Sequence, residues 1–135
     1  MHTNRRPAYI SIDIETTGLE ADRHQVLELA AVAWTHNGPI TELPHYSTIV
    51  RPVGDIVGDP YALVMNMRIL EALKDHKCGL ILWKVLNGFT GWLDKMGVSS
   101  DRKVNIIGQN FGRFDLRCLE QNRLWRARLV SNRNL

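Results

Sequence analysis

The apolar positions of this chain fall into two alternating runs, a looser third, two helical stripes and a last short run. From Tyr9 to Thr16, Ile10, Ile12 and Ile14 fall on one side of a strand, and Ser11, Asp13 and Glu15 on the other. Val26 to Trp34 reads as a second strand. After the turn signal Asn37-Gly38-Pro39, Ile40 to Val50 alternates as a third, stopped by Arg51-Pro52. Asp59-Pro60 supplies an N-cap and a first-turn proline for a helix predicted to run to about Leu73, with His76 to Gly79 as its break. Leu82, Val85, Leu86, Phe89, Trp92, Leu93 and Met96 then recur at helical spacing, with Gly97 as a stop. Gly88 and Gly91 interrupt that stripe, which implies close packing or a break. Val104, Ile106 and Ile107 make a fourth strand, Gly108 and Gly112 a turn, and a further helix is predicted from about Arg113 to Asn122.

The polar side of the first strand is the unusual feature. Asp13 and Glu15 lie roughly 6.6 Å apart along a strand rising about 3.3 Å per residue, a span that brackets two divalent ions about 3.5–4 Å apart. Without a cation, such neighbouring acids repel each other and are costly to half-bury. The bland alternative is a surface strand that happens to carry two acids. On the predicted last helix, Phe111, Asp115, Cys118 and Asn122 share a stripe. Taken alone, Asp115 is equally a first-turn acid stabilised by the helix dipole.

The string Asp13-Ile-Glu15-Thr-Thr17-Gly18-Leu19, running out of an apolar strand and followed by Val26 to Trp34, resembles the first motif of the DEDD superfamily of 3′–5′ exonucleases. That group includes oligoribonuclease, ribonuclease T and polymerase proofreading subunits. Asn110, Phe114 and Asp115, in the stretch Val104 to Glu120, resemble its second motif. The resemblance implies an α/β, ribonuclease H-like mixed sheet, three antiparallel strands and then a parallel one beside the first, flanked by helices. It implies that Asp13, Glu15 and Asp115 hold two Mg²⁺ or Mn²⁺ ions, with Glu15 also orienting the attacking water. Thr17, Gly18, Leu19, Asn110 and Phe114 would then meet the 3′-terminal nucleotide, Leu19 stacking on its base.

The family completes its site with a third motif that carries a His or Tyr and a fourth Asp. All five histidines here precede Asp115, and no acid follows Glu120. The stretch from Leu124 to Leu135 ends where the resemblance places a fifth strand. The expectation is therefore a single domain over residues 1–135, C-terminally incomplete, with weak or no activity as an isolated chain. The alternative is a non-catalytic relative that binds nucleic acid or serves as a scaffold.

Composition agrees with one modest core: 135 residues, 44% of them hydrophobic. No run reaches the roughly 18 apolar residues of a membrane span, and the N-terminus lacks a signal-peptide core, so a cytoplasmic protein without membrane contact is expected. Cys78 and Cys118 stand apart without metal spacing and read as buried thiols. A net charge of +3 is mild, yet from Asp101 onward eight basic residues face three acidic ones. That end is suited to phosphates but is equally read as a solvated tail, so it is the resemblance, more than the charge, that implies a nucleic acid 3′ end, DNA or RNA, as partner. Some relatives act as dimers, so a homodimer is among the assemblies the resemblance allows. Asn66, among Val64, Met65 and Met67, either lines a substrate groove or caps a turn, the cap being the favoured reading, and Trp34, Trp83, Trp92 and Trp125 read as core or half-buried aromatics.

Overall fold

The computed structural model describes residues 6–20, 23–108 and 129–131. Its strands are β1 (Tyr9–Thr16), β2 (Val26–Trp34), β3 (His45–Ile49), β4 (Val104–Ile107) and β5 (Leu129–Ser131), and its helices α1 (Pro60–Met65), α2 (Met67–Ala72) and α3 (Leu82–Lys95). The strands form one sheet in the order β3-β2-β1-β4-β5. β1 pairs antiparallel with β2, and β2 with β3, whereas β4 runs parallel to β1 and β5 parallel to β4. This is the mixed, ribonuclease H-like arrangement expected from the motifs, and it makes β1 the middle strand.

The alternation in β1 is realised in three dimensions. Ile10, Ile12 and Ile14 are buried against a core that includes Ala31, Ala33, Val85, Leu86, Phe89 and Leu93. α3 lies over that face because Val85, Leu86, Phe89 and Leu93 are its buried residues, three or four apart on one stripe. Trp83 falls off the stripe and is 57% exposed, with Lys84 Nζ over its ring, so it is not the core or half-buried aromatic expected. Trp34 and Trp92 are half-buried, and Trp125 lies outside the described residues. The helix ends as the sequence predicts. Gly97 has a φ of 76°, its N–H donates to Asp94 O and the Val98 N–H to Leu93 O, and Val98 is fully buried.

The glycines inside α3 do not break it. A Cβ at Gly88 would stand 2.8 Å from the Tyr46 hydroxyl, which donates to Val85 O, whereas a Cβ at Gly91 would meet nothing within 4 Å. Gly88 is thus the point where β3 and α3 come close. Gly91→Ala is expected to stabilise the protein by about 0.5–1 kcal/mol through helix propensity, and Gly88→Ala to destabilise it by about 1–2 kcal/mol as Tyr46 is displaced. Urea melts of the two variants should move in opposite directions.

Two further boundaries differ from the sequence reading. Residues Ile40–Glu42 form a 3-10 turn and β3 begins only at His45, because Pro39 and Pro44 flank the turn and lack the N–H groups a strand would use. The helix from Pro60 is interrupted at Asn66, whose backbone leaves the helical basin at φ −107° and ψ 22° while its side-chain amide donates to Thr16 O, 3.0 Å away. Asp59 does cap α1, its carboxylate accepting from the Tyr61 N–H. α2 then packs Ile69 and Leu73 against Leu27. Past it, the Arg51 guanidinium donates to the carbonyls of Leu73, Asp75 and Cys78, closing the loop predicted around His76 to Gly79. Cys78 is a free, half-buried thiol, and Cys118 lies outside the described residues. Among the described residues no helix is long and apolar enough to cross a membrane.

Candidate functional site

With the isoleucines of β1 committed to the core, Asp13 and Glu15 must face the other way, and both do so near the C-terminal end of the central strand. Burial, more than anything else, holds the Asp13 carboxyl above the usual carboxylate range, and the charge of Glu28 pushes in the same direction against a backbone hydrogen bond. Glu15 is raised as well, again first by burial, then by Asp13 and Glu28, while Arg68 and a hydrogen bond from the Asn66 side chain pull it down. The pair is therefore destabilised in its charged form, which is the condition a cation relieves.

Glu28 was not among the residues singled out from the sequence. It stands directly opposite Glu15 in the β1–β2 register, just before the irregularity between Glu15 and Thr16, and so shares the acid face. Its carboxylate is held by Arg68 on α2. A like-charged pair across a ladder is unfavourable, and the sequence signal for it was only an acid on the non-core side of β2.

Beside the acids lies a cleft of about 370 Å³ lined by Ile14, Glu15, Thr16, Gly18, Leu19, Asp59, Tyr61, Ala62, Met65 and Asn66. Its volume is within the range of small-molecule sites. Leu19, Tyr61 and Met65 are 81%, 75% and 66% exposed, an apolar rim open to solvent. Asn66, read from the sequence as a turn cap with groove lining as the alternative, is found in both places: it ends α1 and is buried in the cleft wall, bonded to the end of β1. Gly18 and Leu19 lie in this cleft. Thr17 is fully buried beneath it, its hydroxyl donating to Val57 O and accepting from the Gln25 N–H. That latch fixes the turn that carries Gly18 and Leu19.

Of the second motif, Asn110, Phe114 and Asp115 lie outside the described residues. What is described is the approach to them. Ile107, the last residue of β4, pairs with Ser11, two residues before Asp13, so β4 ends alongside the acid-bearing half of β1. The carboxylates of Asp13 and Glu15 are hard oxygen donors of the kind Mg²⁺ and Mn²⁺ take. Among the described residues no group of three or more His, Cys, Asp or Glu side chains is arranged to hold a metal ion, so Asp13 and Glu15 fit the chemistry of such a site as part of a ligand set.

No protein-family model and no curated protein sequence matches this chain. Solved structures do match it in fold. The zinc-bound complex of E. coli exonuclease I with single-stranded DNA superposes with a TM-score of 0.60 at 14% identity, covering 90% of this chain and 24% of that one. The nuclease domain of 3′hExo, a DEDDh family member bound to rAMP, gives 0.62 at 15% identity over 85% of this chain and 59% of its own. A full-length 3′-exonuclease gives 0.61 at 14% identity, with 91% and 43% covered. The chain thus spans about a quarter of exonuclease I. It shares the fold of these exonucleases.

Proposed function

We propose that this chain is a 3′–5′ exonuclease domain that takes the 3′ end of a single-stranded nucleic acid into the cleft beside Asp13 and Glu15 and hydrolyses its terminal phosphodiester. One observation carries the reading: of the two acids on the polar face of the central strand, Glu15 lines a cleft with an apolar rim, on a fold shared with 3′-exonucleases. Asp13 and Glu15, with Asp115, would hold two Mg²⁺ or Mn²⁺ ions. Ions bound there would activate a water for in-line attack on phosphorus and stabilise the leaving 3′-oxygen. Glu15 would also orient that water. Leu19 would stack on the terminal base, with Tyr61 and Met65 across the cleft, and Gly18 would let the chain approach the sugar. Asn110 and Phe114 would complete the substrate contacts, and Thr17, buried beneath the cleft, would hold Gly18 and Leu19 in place.

The second reading is a nucleic-acid-binding module that keeps the same fold and cleft without catalysis. Both are tested by fluorescence anisotropy of short single-stranded DNA and RNA with Mn²⁺, alongside release of end-labelled mononucleotide. The enzyme reading expects tighter binding of 3′-hydroxyl than of 3′-phosphate ends, slow Mn²⁺-dependent release from the 3′ end, and about tenfold weaker binding in Leu19→Ser, the scale of one lost base stack. Binding with no release favours the module. Indifference to the 3′ end and to Leu19 would remove the cleft from either account.

A further inference from the structure

The acid face carries a carboxylate that the motif does not name, and that carboxylate is forked by a cation. Arg68 Nη1 donates to Glu28 Oε2 at 3.3 Å and Nη2 to Oε1 at 3.2 Å, a two-pronged contact. The Glu28 side chain is 18% exposed and that of Arg68 70%. Arg68 is rooted on a packed helix. Two residues earlier Asn66 is bonded to Thr16 O, and the next residue, Ile69, is fully buried against Leu27. The guanidinium is thereby kept near Glu15, whose charge it also feels.

An ion pair this exposed contributes little to stability. Its larger consequence is for the field over the acids, where, among the described residues, the Arg68 charge stands against those of Asp13, Glu15 and Glu28. Resting on the reading of Asp13 and Glu15 as metal ligands, we propose that Arg68 is a built-in counter-cation whose grip on Glu28 sets how tightly the acid face takes divalent ions. With the face empty, Arg68 offsets the repulsion among Asp13, Glu15 and Glu28. When a divalent ion approaches, the same charge opposes it, and Glu28, screened by Arg68, attracts it less than a bare carboxylate would. Arg68 and Glu28 are positioning residues in this account.

The test is calorimetric titration of Mn²⁺ into the wild-type protein, Arg68→Met, Arg68→Lys, Glu28→Gln and the Arg68→Met/Glu28→Gln pair, with Asp13→Asn as the ligand control and thermal melts to establish folding. At low salt Arg68→Met is expected to tighten Mn²⁺ binding by about three- to tenfold, as removal of one nearby, partly screened charge implies, and the gain should fade near 1 M salt. Arg68→Lys, which keeps the charge, should remain close to wild type, and Glu28→Gln should weaken binding by a similar factor. If Arg68 merely pins α2 to the sheet, both Arg68 variants would lower the melting temperature and neither would tighten the ion. An Arg68→Met protein that binds Mn²⁺ no more tightly than wild type, while Asp13→Asn abolishes binding, overturns this inference and leaves the metal-site reading standing. Binding absent from the wild type but present in Arg68→Met supports it. Absence from every folded variant overturns both.

Discussion

Phe89→Ala is expected to lower the unfolding free energy by about 3–5 kcal/mol, the range for emptying a buried phenylalanine site. Phe89 is 1% exposed and lies at the centre of α3's buried stripe. Its ring stacks on Trp92 at 5.9 Å and tilts against Tyr46 at 5.7 Å, so it ties the helix to β3 as well as to the isoleucine face of β1. Truncation removes those ring contacts and leaves a cavity beneath the strand that carries the acids. A domain with about 5–15 kcal/mol in total loses much of its margin. Trp83→Ala is the control. Trp83 is as bulky but stands outside the stripe, so its loss should stay within about 0.5 kcal/mol. Urea denaturation measures both, and equal costs would mean that the helix face has been assigned wrongly.

The contrast between Phe89 and Trp83 shows what sequence periodicity could and could not supply. Spacing placed Val85, Leu86, Phe89 and Leu93 on one face, and strict alternation placed Ile10, Ile12 and Ile14 opposite Asp13 and Glu15, because both signals are local and a single apolar face determines them. Trp83 was misjudged because a large aromatic suggests burial whatever its phase, while its phase points outward. The order of the strands followed from motifs whose acids must meet, and the parallel pairing of β4 with β1 agrees with that requirement.

What stayed hidden in the sequence was non-local. Glu28 joins the acid face only through the β1–β2 register, which no composition or motif states. Asn66 stood open between a turn cap and a groove-lining residue, and only the partner at Thr16, fifty positions away, shows why a buried amide interrupts the helix there. Arg68 has no partner visible in the sequence and gains Glu28 only where α2 lies beside β2. The start of β3 was lost for a local reason. Alternation from Ile40 was counted through a segment bounded by Pro39 and Pro44, where a tight turn competes with a strand.

Asp13→Asn is expected to have two opposite effects, and their opposition is what identifies a ligand rather than a structural acid. Mn²⁺ binding should weaken by about a hundredfold or more, since loss of even an outer partner of a metal ligand costs roughly 10–100-fold and Asp13 is read as a ligand itself. The metal-free protein should nevertheless become more stable at pH 7. The carboxyls of Asp13 and Glu15 are held above their ordinary values by burial first and by neighbouring acids next. An acid raised on folding contributes stability that is fully present below its unfolded-state value, about 3.9 for Asp, and that is lost as pH rises through the raised folded-state value. At pH 7 the wild type has lost that contribution, whereas an asparagine has no charge to desolvate and no repulsion from Glu28. The variant should therefore melt about 2–4 °C higher at pH 7 in chelator, an effect kept small by solvent screening of a part-exposed group, and the gap should close as pH falls below about 4. Added Mn²⁺ should reverse the order, because it stabilises only the form that binds it. A variant less stable than wild type at pH 7 without metal would contradict the repulsion account, and one that still binds Mn²⁺ tightly would remove Asp13 from the ligand set.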